Sequence, residues 1–279
     1  SFILTPWCSS YFSLRPRRIA IVSSSLGSLT KIVDLEMNPA VKNNCSLLSQ
    51  AASVVGTPQI RNMGTIGGNI CQRPRCWYFR GNFPCLRRWG DECSALIGDN
   101  RNHCIFGGDP CFMIHPSDIA TALLALDAKV KIYGTGGTKT VSIGKFFILP
   151  EKNVYRENIL KPDEIITEIY IPSQPDNSRQ IYKKFMRRSA WDFAVASVAI
   201  VITQEGNKCK YIRLVLGGVA PVPWRVQKAE NFLKGKELNN ENIDKTAEIA
   251  LEGAQPLEKN EYKIELTKNL IKDAFLSIK

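Results

Sequence analysis

Long hydrophobic runs are absent from this sequence. It contains no stretch of about 18 or more consecutive apolar residues, the length that a membrane-spanning helix needs, so we expect no membrane span. Residues 1–18 have neither a leading basic segment nor a sustained apolar segment with a small-residue cleavage site. They therefore do not predict an export signal.

A nucleic-acid-binding motif is also missing, although the formal net charge is +11. Lysine and arginine are spread over the chain, without a basic helix or alternating aromatic and basic residues, so we expect no nucleic-acid partner. One group of arginines lies among the cysteines, where it would offset thiolate charge or face an acidic partner, with plain solubility as the alternative. These are Arg73, Arg75, Arg80, Arg87, Arg88 and Arg101.

Internal repeats and low-complexity segments are absent as well. With 279 residues, 44% of them hydrophobic, the chain can bury a core as one large or two modest domains. Residues 172–179 are polar and rich in proline, which predicts a link between two domains, residues 1–172 and residues 180–279.

Hydrophobic periodicity predicts an α+β fold. We expect strands at residues 18–23, 129–133, 138–142, 164–171, 181–186, 193–202 and 211–216. We expect helices from a Ser28 or Thr30 cap to about residue 37, and at about residues 45–55, 117–128, 226–233, 242–253 and 262–277.

Two adjacent glycines stand out in the string Thr65-Ile66-Gly67-Gly68-Asn69. Because glycine has no Cβ atom, the backbone N–H groups there are open to a phosphate or a planar ring. Most Gly-Gly pairs are ordinary tight turns, so the pair alone is weak evidence for a binding loop.

Six of the nine cysteines fall within residues 71–111, in irregular sequence rich in glycine, proline and arginine. Disulfides suit small secreted scaffolds rather than a chain of this size with an odd cysteine count. Spacings of 9, 8 and 18 residues separate Cys76, Cys85, Cys93 and Cys111, and such spacings suit four thiolates around one iron–sulfur cubane. The residues alone leave a cluster, a zinc site and free thiols open.

Three longer strings carry a specific resemblance: PQIRNMGTIGGN at residues 58–69, HPSD at 115–118 and GGVAPVPWR at 217–225. From about residue 27 onward, the chain resembles the FAD-binding medium subunits of the molybdenum hydroxylases, the xanthine dehydrogenase and aldehyde oxidoreductase group. The resemblance implies a PCMH-type FAD-binding domain followed by an α+β domain like the C-terminal domain of the CO dehydrogenase flavoprotein.

The resemblance also implies the flavin site. The expected flavin-binding loop consists of Thr65, Ile66, Gly67, Gly68 and Asn69. Asp118 is expected beside the flavin and Lys184 is expected to reach it. The structural alternatives are a helix cap for Asp118 and an outward-facing strand lysine for Lys184.

A subset of these subunits, similar to periplasmic aldehyde oxidoreductases and 4-hydroxybenzoyl-CoA reductase, carries an inserted cysteine loop that holds a [4Fe-4S] cluster. The chain resembles that subset, with an insertion at residues 71–112 and the ligands Cys76, Cys85, Cys93 and Cys111. Cys104 is the competitor for the fourth position, but it begins an apolar run that suits a short strand. We expect structural roles for Cys8, Cys45, Cys71 and Cys209.

His103 and His115 are interpreted as hydrogen-bonded scaffolding, with metal ligation or proton transfer as the alternative.

Residues 1–26 contain no match to the strand and the Gly-Gly-Thr-Asp-like turn that form the N-terminal part of such flavoproteins. The sequence therefore predicts an N-terminally incomplete FAD-binding domain, from a fragment or truncated gene product with a non-native start at about residues 1–17.

No catalytic residue is expected in this chain, since it has no molybdopterin motif and no acid–base pair of its own. The resemblance implies an oxidoreductase subunit that holds FAD and a [4Fe-4S] cluster. It would pass electrons between an external carrier and two partners, a molybdopterin-binding large subunit and a [2Fe-2S] small subunit. The alternative is a flavin-free cluster subunit for electron transfer or assembly. We expect a cytoplasmic location, or a periplasmic one within a co-exported complex.

Overall fold

Two antiparallel sheets of four strands organise the chain. The computed structural model describes residues 24–189 and 191–278. The strands are β1 (Ser24–Gly27), β2 (Lys129–Gly134), β3 (Gly137–Ser142), β4 (Ile165–Ile171), β5 (Arg179–Phe185), β6 (Ala196–Glu205), β7 (Lys208–Gly217) and β8 (Trp224–Arg225). The first sheet has the order β1–β4–β2–β3, and the second has the order β5–β6–β7–β8.

Helices precede, connect and follow the two sheets. They are α1 (Ile32–Met37), α2 (Pro39–Asn44), α3 (Ser46–Ser53), α4 (Pro58–Met63), α5 (Ile66–Ile70), α6 (Trp77–Arg80), α7 (Asp118–Ala125), α8 (Gln227–Leu233), α9 (Asn240–Ala250) and α10 (Tyr262–Leu276). No helix in the described ranges has both the length and the apolar character needed to cross a membrane.

Helix α7 lies in the core that the two sheets share. Every residue from Asp118 to Ala125 is buried, as expected for a helix that is apolar on all sides. Ile119 and Leu123 belong to one hydrophobic cluster with Val130 of β2 and with Val201 of β6. The core of the first half is therefore completed by the second sheet.

Strand β6 supplies side chains to two cores because successive residues of a strand face opposite sides of the sheet. Val201 packs into the core around α7, whereas Ile200 and Ile202 pack against the C-terminal helices, with Ala247 of α9 and Phe275 of α10. The second sheet is thus covered on both faces, which explains the nearly continuous apolar sequence of this strand.

The cysteine segment, residues 71–117, runs between α5 and α7 with little regular structure: α6 and one 3-10 turn at Leu86–Arg88. Hydrogen bonds fix it to the second half of the chain. Val219 O accepts from the N–H groups of Ile105 and Phe106, at 2.8 and 3.1 Å, and the Phe106 ring stacks on Trp224. The segment therefore packs against the second half through its apolar residues.

Most predicted elements are confirmed, with shifts of a few residues at their ends. Three expectations were wrong. The first helix is preceded by Lys31, without a side-chain cap, rather than by Ser28 or Thr30, and residues 104–106 form no strand. The Gly-Gly loop is a one-turn helix, α5. The strand predicted at residues 18–23, Cys8 and the expected non-native start lie outside the described residues.

Candidate functional site

Asp118 lies at the centre of a buried polar network. Ser117 caps α7 by accepting from the N–H of Ala120, which leaves the Asp118 carboxylate free for other partners. Tyr182 Oη donates to one carboxylate oxygen and Lys184 Nζ to the other, both at 2.7 Å. Burial raises the pKa of Asp118, and the Lys184 ammonium partly offsets this rise. Ser117 is therefore the cap of α7, and Asp118 accepts hydrogen bonds from two side chains of β5.

The neighbouring lysines of β5 face opposite sides, as the strand period requires. The Lys184 side chain is 2% exposed, and its ammonium also donates to Val54 O at 2.9 Å. Lys183 points outward and pairs with Asp273 of α10. Lys184 is therefore not an outward-facing strand lysine.

The two glycines of α5 have different surroundings. A Cβ atom on Gly67 would lie 2.9 Å from both the Cβ and the carbonyl oxygen of Ser28, whereas one on Gly68 would meet only the Thr65 hydroxyl, at 3.1 Å. Gly67 therefore allows close packing. Gly68 is exposed, so a ligand can approach its Cα atom closely. The backbone N–H groups of the turn are not open as expected, because those of Gly67 and Gly68 donate to Ser28 O and to the Thr65 hydroxyl, at 2.9 and 3.2 Å.

Asn69 links this turn to the start of α7. Its side-chain oxygen accepts from Ser117 Oγ at 2.5 Å, and both groups are buried. The string GTIGGN and the string HPSD, distant in sequence, are thereby joined by one hydrogen bond. Ile66 is fully buried in the core, and Thr65 caps the turn.

A cavity of about 270 Å³ opens beside this junction. Asn69 and Asp118 line it, whereas Thr65, Ile66, Gly67, Gly68 and Lys184 do not. The other residues that line the cavity were not predicted as part of the flavin site; they are Val55, Gly56, Ile60, Gln72, Arg75, Pro116, Arg188, Trp191, Asp192 and Phe193. Apolar and aromatic walls with a few polar groups suit a planar ring that has a polar edge.

Cysteine side chains gather in the cysteine segment. Cys85 and Cys93 face each other in an isolated antiparallel bridge, and the Cys93 and Cys111 thiols are hydrogen-bonded. That bond lowers the pKa of Cys93 to about 6 and raises the pKa of Cys111. Burial raises the pKa of Cys76, and the nearby Cys93 and Cys85 thiols act in the same direction.

Cys104 lies nearby in different surroundings. It is 1% exposed, and burial raises its pKa to about 12. A Cβ atom on Gly108 would lie 2.4 Å from its sulfur, so the thiol is packed against the backbone of that turn. It is also within electrostatic range of Cys93.

No disulfide joins the cysteines in the described part of the chain. Within the same residues, no three histidine, cysteine or acidic side chains converge closely enough to bind a single metal ion. The second finding disfavours a preformed zinc site, one of the alternatives that the sequence left open.

Arg87 supplies positive charge beside these thiols. Its side chain is 4% exposed and donates to Glu157, while its Nε and Nη1 atoms have no partner among the described residues. Its charge lowers the pKa of Cys111. Buried N–H groups without partners are costly, so the free Nε and Nη1 atoms of this guanidinium suit a site that gains negative charge when occupied.

The two histidines are neutral near pH 7, because burial lowers the pKa of each to about 4. The backbone N–H of Ser117 donates to His115 Nδ1 at 3.3 Å, which agrees with a scaffolding role. His103 Nε2 lies 3.2 Å from the sulfur of Cys76.

Both halves of the chain match known protein families. Residues 22–174 match the family described as the FAD binding domain in molybdopterin dehydrogenase, and residues 180–278 match the CO dehydrogenase flavoprotein C-terminal domain. The chain is 34% identical to the aldehyde oxidoreductase FAD-binding subunit PaoB of Escherichia coli, over 88% of this chain and 75% of PaoB. It is 31% identical to the glyceraldehyde dehydrogenase medium chain of Sulfolobus acidocaldarius, covering 78% of this chain and 61% of that protein.

Solved structures give the same result. The carbon monoxide dehydrogenase of Hydrogenophaga pseudoflava superposes with a TM-score of 0.69 at 26% identity, covering 91% of this chain and 74% of that one. Quinoline 2-oxidoreductase from Pseudomonas putida shares the fold, with a TM-score of 0.69 at 20% identity. The predicted fold and enzyme class are confirmed. The chain belongs to the family of FAD-binding oxidoreductase subunits of the molybdenum hydroxylases.

Proposed function

We propose that this chain is the electron-transfer subunit of a molybdenum hydroxylase complex of the xanthine, aldehyde or hydroxybenzoyl-CoA type. It would exchange electrons with a molybdopterin-binding large subunit and a [2Fe-2S] small subunit on one side and with an external carrier on the other. The observation that carries the proposal is the cavity lined by Asn69 and Asp118 beside the open turn at Gly68.

The residues of this site fit FAD. The open side of Gly68 would admit the cofactor, and Asn69 and Asp118 would present polar groups to it from the cavity wall. When bound, FAD supplies the redox chemistry, and the protein supplies orientation and electrostatics. Lys184 has an indirect part in this arrangement, because it holds the Asp118 carboxylate from outside the cavity.

The surroundings of the cysteines fit a [4Fe-4S] cluster held by Cys76, Cys85, Cys93 and Cys111. Three observations support this ligand set: the bridge that pairs Cys85 with Cys93, the buried Arg87 with two nitrogen atoms that have no partner among the described residues, and the packing of Cys104 against Gly108. A cubane separates its four thiolates more widely than a single ion does, so the lack of a single-ion site among the described residues is compatible with it.

The boundaries of the two domains, residues 1–172 and 180–279, and the location of the complex are also proposals. The cytoplasm and, for a co-exported complex, the periplasm are the two candidate compartments. PaoB is named for an aldehyde oxidoreductase and the other relatives for other substrates, so we propose the role of the subunit without assigning a substrate.

An absorption spectrum of the complex, co-produced with its partner subunits, tests the proposal. FAD on this subunit gives two resolved visible bands, and a [4Fe-4S] cluster adds a broad shoulder and extra iron and sulfide. The matched control is the complex with Gly68→Val, which should lose flavin and keep iron. A flavin-free wild-type complex with the cluster present would instead support the cluster subunit for electron transfer or assembly.

A further inference from the structure

His103 touches one of the proposed cluster ligands, Cys76. Its ring is 4% exposed, and Nε2 lies 3.2 Å from the sulfur of Cys76, within hydrogen-bonding distance for a sulfur partner. The other ring nitrogen, Nδ1, is buried and has no hydrogen-bond partner among the described residues.

The chemistry of the sulfur fixes which ring nitrogen carries the hydrogen. A cysteine that ligates iron is a thiolate, so it has no proton and can only accept a hydrogen bond. A neutral imidazole has one N–H group. With Cys76 in the ligating state, the contact therefore requires that hydrogen on Nε2.

The ring is held in position from both sides. Its neighbours are the rings of Trp77 and Tyr78, each with its centroid 5.9 Å away. The carbonyl oxygen of His103 accepts from Asn260 Nδ2 at 3.1 Å and from Lys263 Nζ at 3.0 Å, and both donors are buried. The C-terminal half thus fixes the backbone of the residue whose ring meets the sulfur.

We propose that His103 is a positioning residue of the cysteine site, donating a hydrogen bond from Nε2 to the thiolate of Cys76 and so raising the reduction potential of the cluster. The inference rests on the cluster proposed above. A donor to a ligand sulfur withdraws charge from it and favours the more negative, reduced cluster, and such bonds are one of the protein's means of setting cluster potentials.

The test compares two substitutions in the whole complex. His103→Leu keeps an apolar side chain of similar length without a donor, whereas His103→Gln places an amide N–H close to the position of Nε2. Iron and sulfide are counted first, and the midpoint potential of the cluster is then measured by an EPR-monitored titration with dithionite.

We expect a lower midpoint potential in His103→Leu and a return toward the wild-type value in His103→Gln. Trp77→Phe, which changes the packing against the ring and keeps the donor, should leave the potential unchanged. Equal potentials in wild type and His103→Leu would overturn the inference, and so would equal lowering in both His103 variants, because packing would then explain the effect.

Loss of the cluster is also informative. If wild type and His103→Gln retain iron and His103→Leu loses it, the donor is needed to hold the cluster, which supports the contact. If both His103 variants lose iron while wild type keeps it, the role is structural and the inference fails. A wild-type complex without the additional iron contradicts the proposed cluster itself, a distinct outcome.

Discussion

At the scale of single residues, Gly67 and Gly68 have opposite consequences for substitution. We expect Gly68→Val to fold with nearly unchanged thermal stability, because the new side chain meets only the Thr65 hydroxyl. Its FAD content should fall severalfold, since the methyl groups enter the space that the cofactor must approach. Bound flavin, released by acid and counted against protein, is the measurement.

Gly67 provides the matched control. A Cβ atom there meets the backbone of Ser28 at 2.9 Å, so Gly67→Ala should lower the melting temperature even without cofactor. Full FAD content in Gly68→Val would show that the turn does not form the flavin site.

A second prediction at the scale of single residues concerns the contribution of Lys184 to stability. Lys184→Met leaves the buried Asp118 carboxylate without its cation, and removing one partner of a buried pair typically costs about 3–5 kcal/mol in the free energy of unfolding. Lys183→Met is the control, because its pair with Asp273 is partly exposed and such pairs contribute about 0–1 kcal/mol. Urea unfolding of the three chains measures the difference.

The pH dependence of this loss has a definite sign. Burial already raises the pKa of Asp118, and removal of Lys184 removes an influence that lowers it. A carboxyl group whose pKa is raised in the folded state stabilises that state at low pH, and this contribution is lost as the pH rises through the folded pKa. The difference in the free energy of unfolding between wild type and Lys184→Met should therefore become smaller at acidic pH. A difference that becomes larger would mean that the loss does not come from the pair with Asp118.

At the scale of elements, the segment before α7 contains both candidates for the fourth cluster ligand, Cys104 and Cys111, in different surroundings. Cys111 is hydrogen-bonded to Cys93, whereas the Cys104 thiol packs against Gly108. We expect Cys111→Ser to lose the iron, the sulfide and the broad visible absorption of the cluster, and Cys104→Ser to retain all three. Metal analysis of the two purified variant complexes decides between them.

The contrary results are equally specific. Loss in Cys104→Ser alone would transfer the ligand role to Cys104. Retention in both variants would end the hypothesis of a four-cysteine cubane.

Hydrophobic periodicity predicted the strands and helices whose own sequences carry a clear pattern. Strand β2 alternates in burial over its whole length, β7 ends in four buried residues, and α10 begins where the sequence predicts it. No helix was predicted between residues 37 and 45, yet α2 begins at Pro39, because proline is favoured at the first position of a helix.

The cavity shows what a single sequence does not contain. Asn69 and Asp118 could be named because they stand in recognisable strings. The opposite wall, with Trp191 and Phe193, comes from the turn that follows β5, and no local pattern links it to Gly56 more than a hundred residues earlier. Such walls depend on how the second sheet packs on α3 and α7, which local propensity does not specify.

At the scale of the whole molecule, two weakly structured segments connect well-packed parts. We expect a protease of broad specificity, under native conditions, to cut first within residues 172–179 or in the cysteine segment, because both have little regular structure. Mass spectrometry of early fragments identifies the sites. Early cleavage within β6 would contradict the two-domain proposal.

The fragments of such a cut should stay together. Gln50 of α3 donates to Gln180 O and accepts from the Tyr182 N–H of β5, and both halves share the core around α7. We expect native size-exclusion chromatography to elute the nicked chain at its original volume, with separation only in denaturant.

The shared core also has a consequence during synthesis. Helix α7 leaves the ribosome well before β6 and β7, which cover it, have been made. At about 5–20 residues per second, the apolar surface of α7 stays without this cover for on the order of ten seconds. We therefore expect the nascent chain to bind chaperones over that interval, and slow codons between β4 and β7 to lengthen its exposure to aggregation.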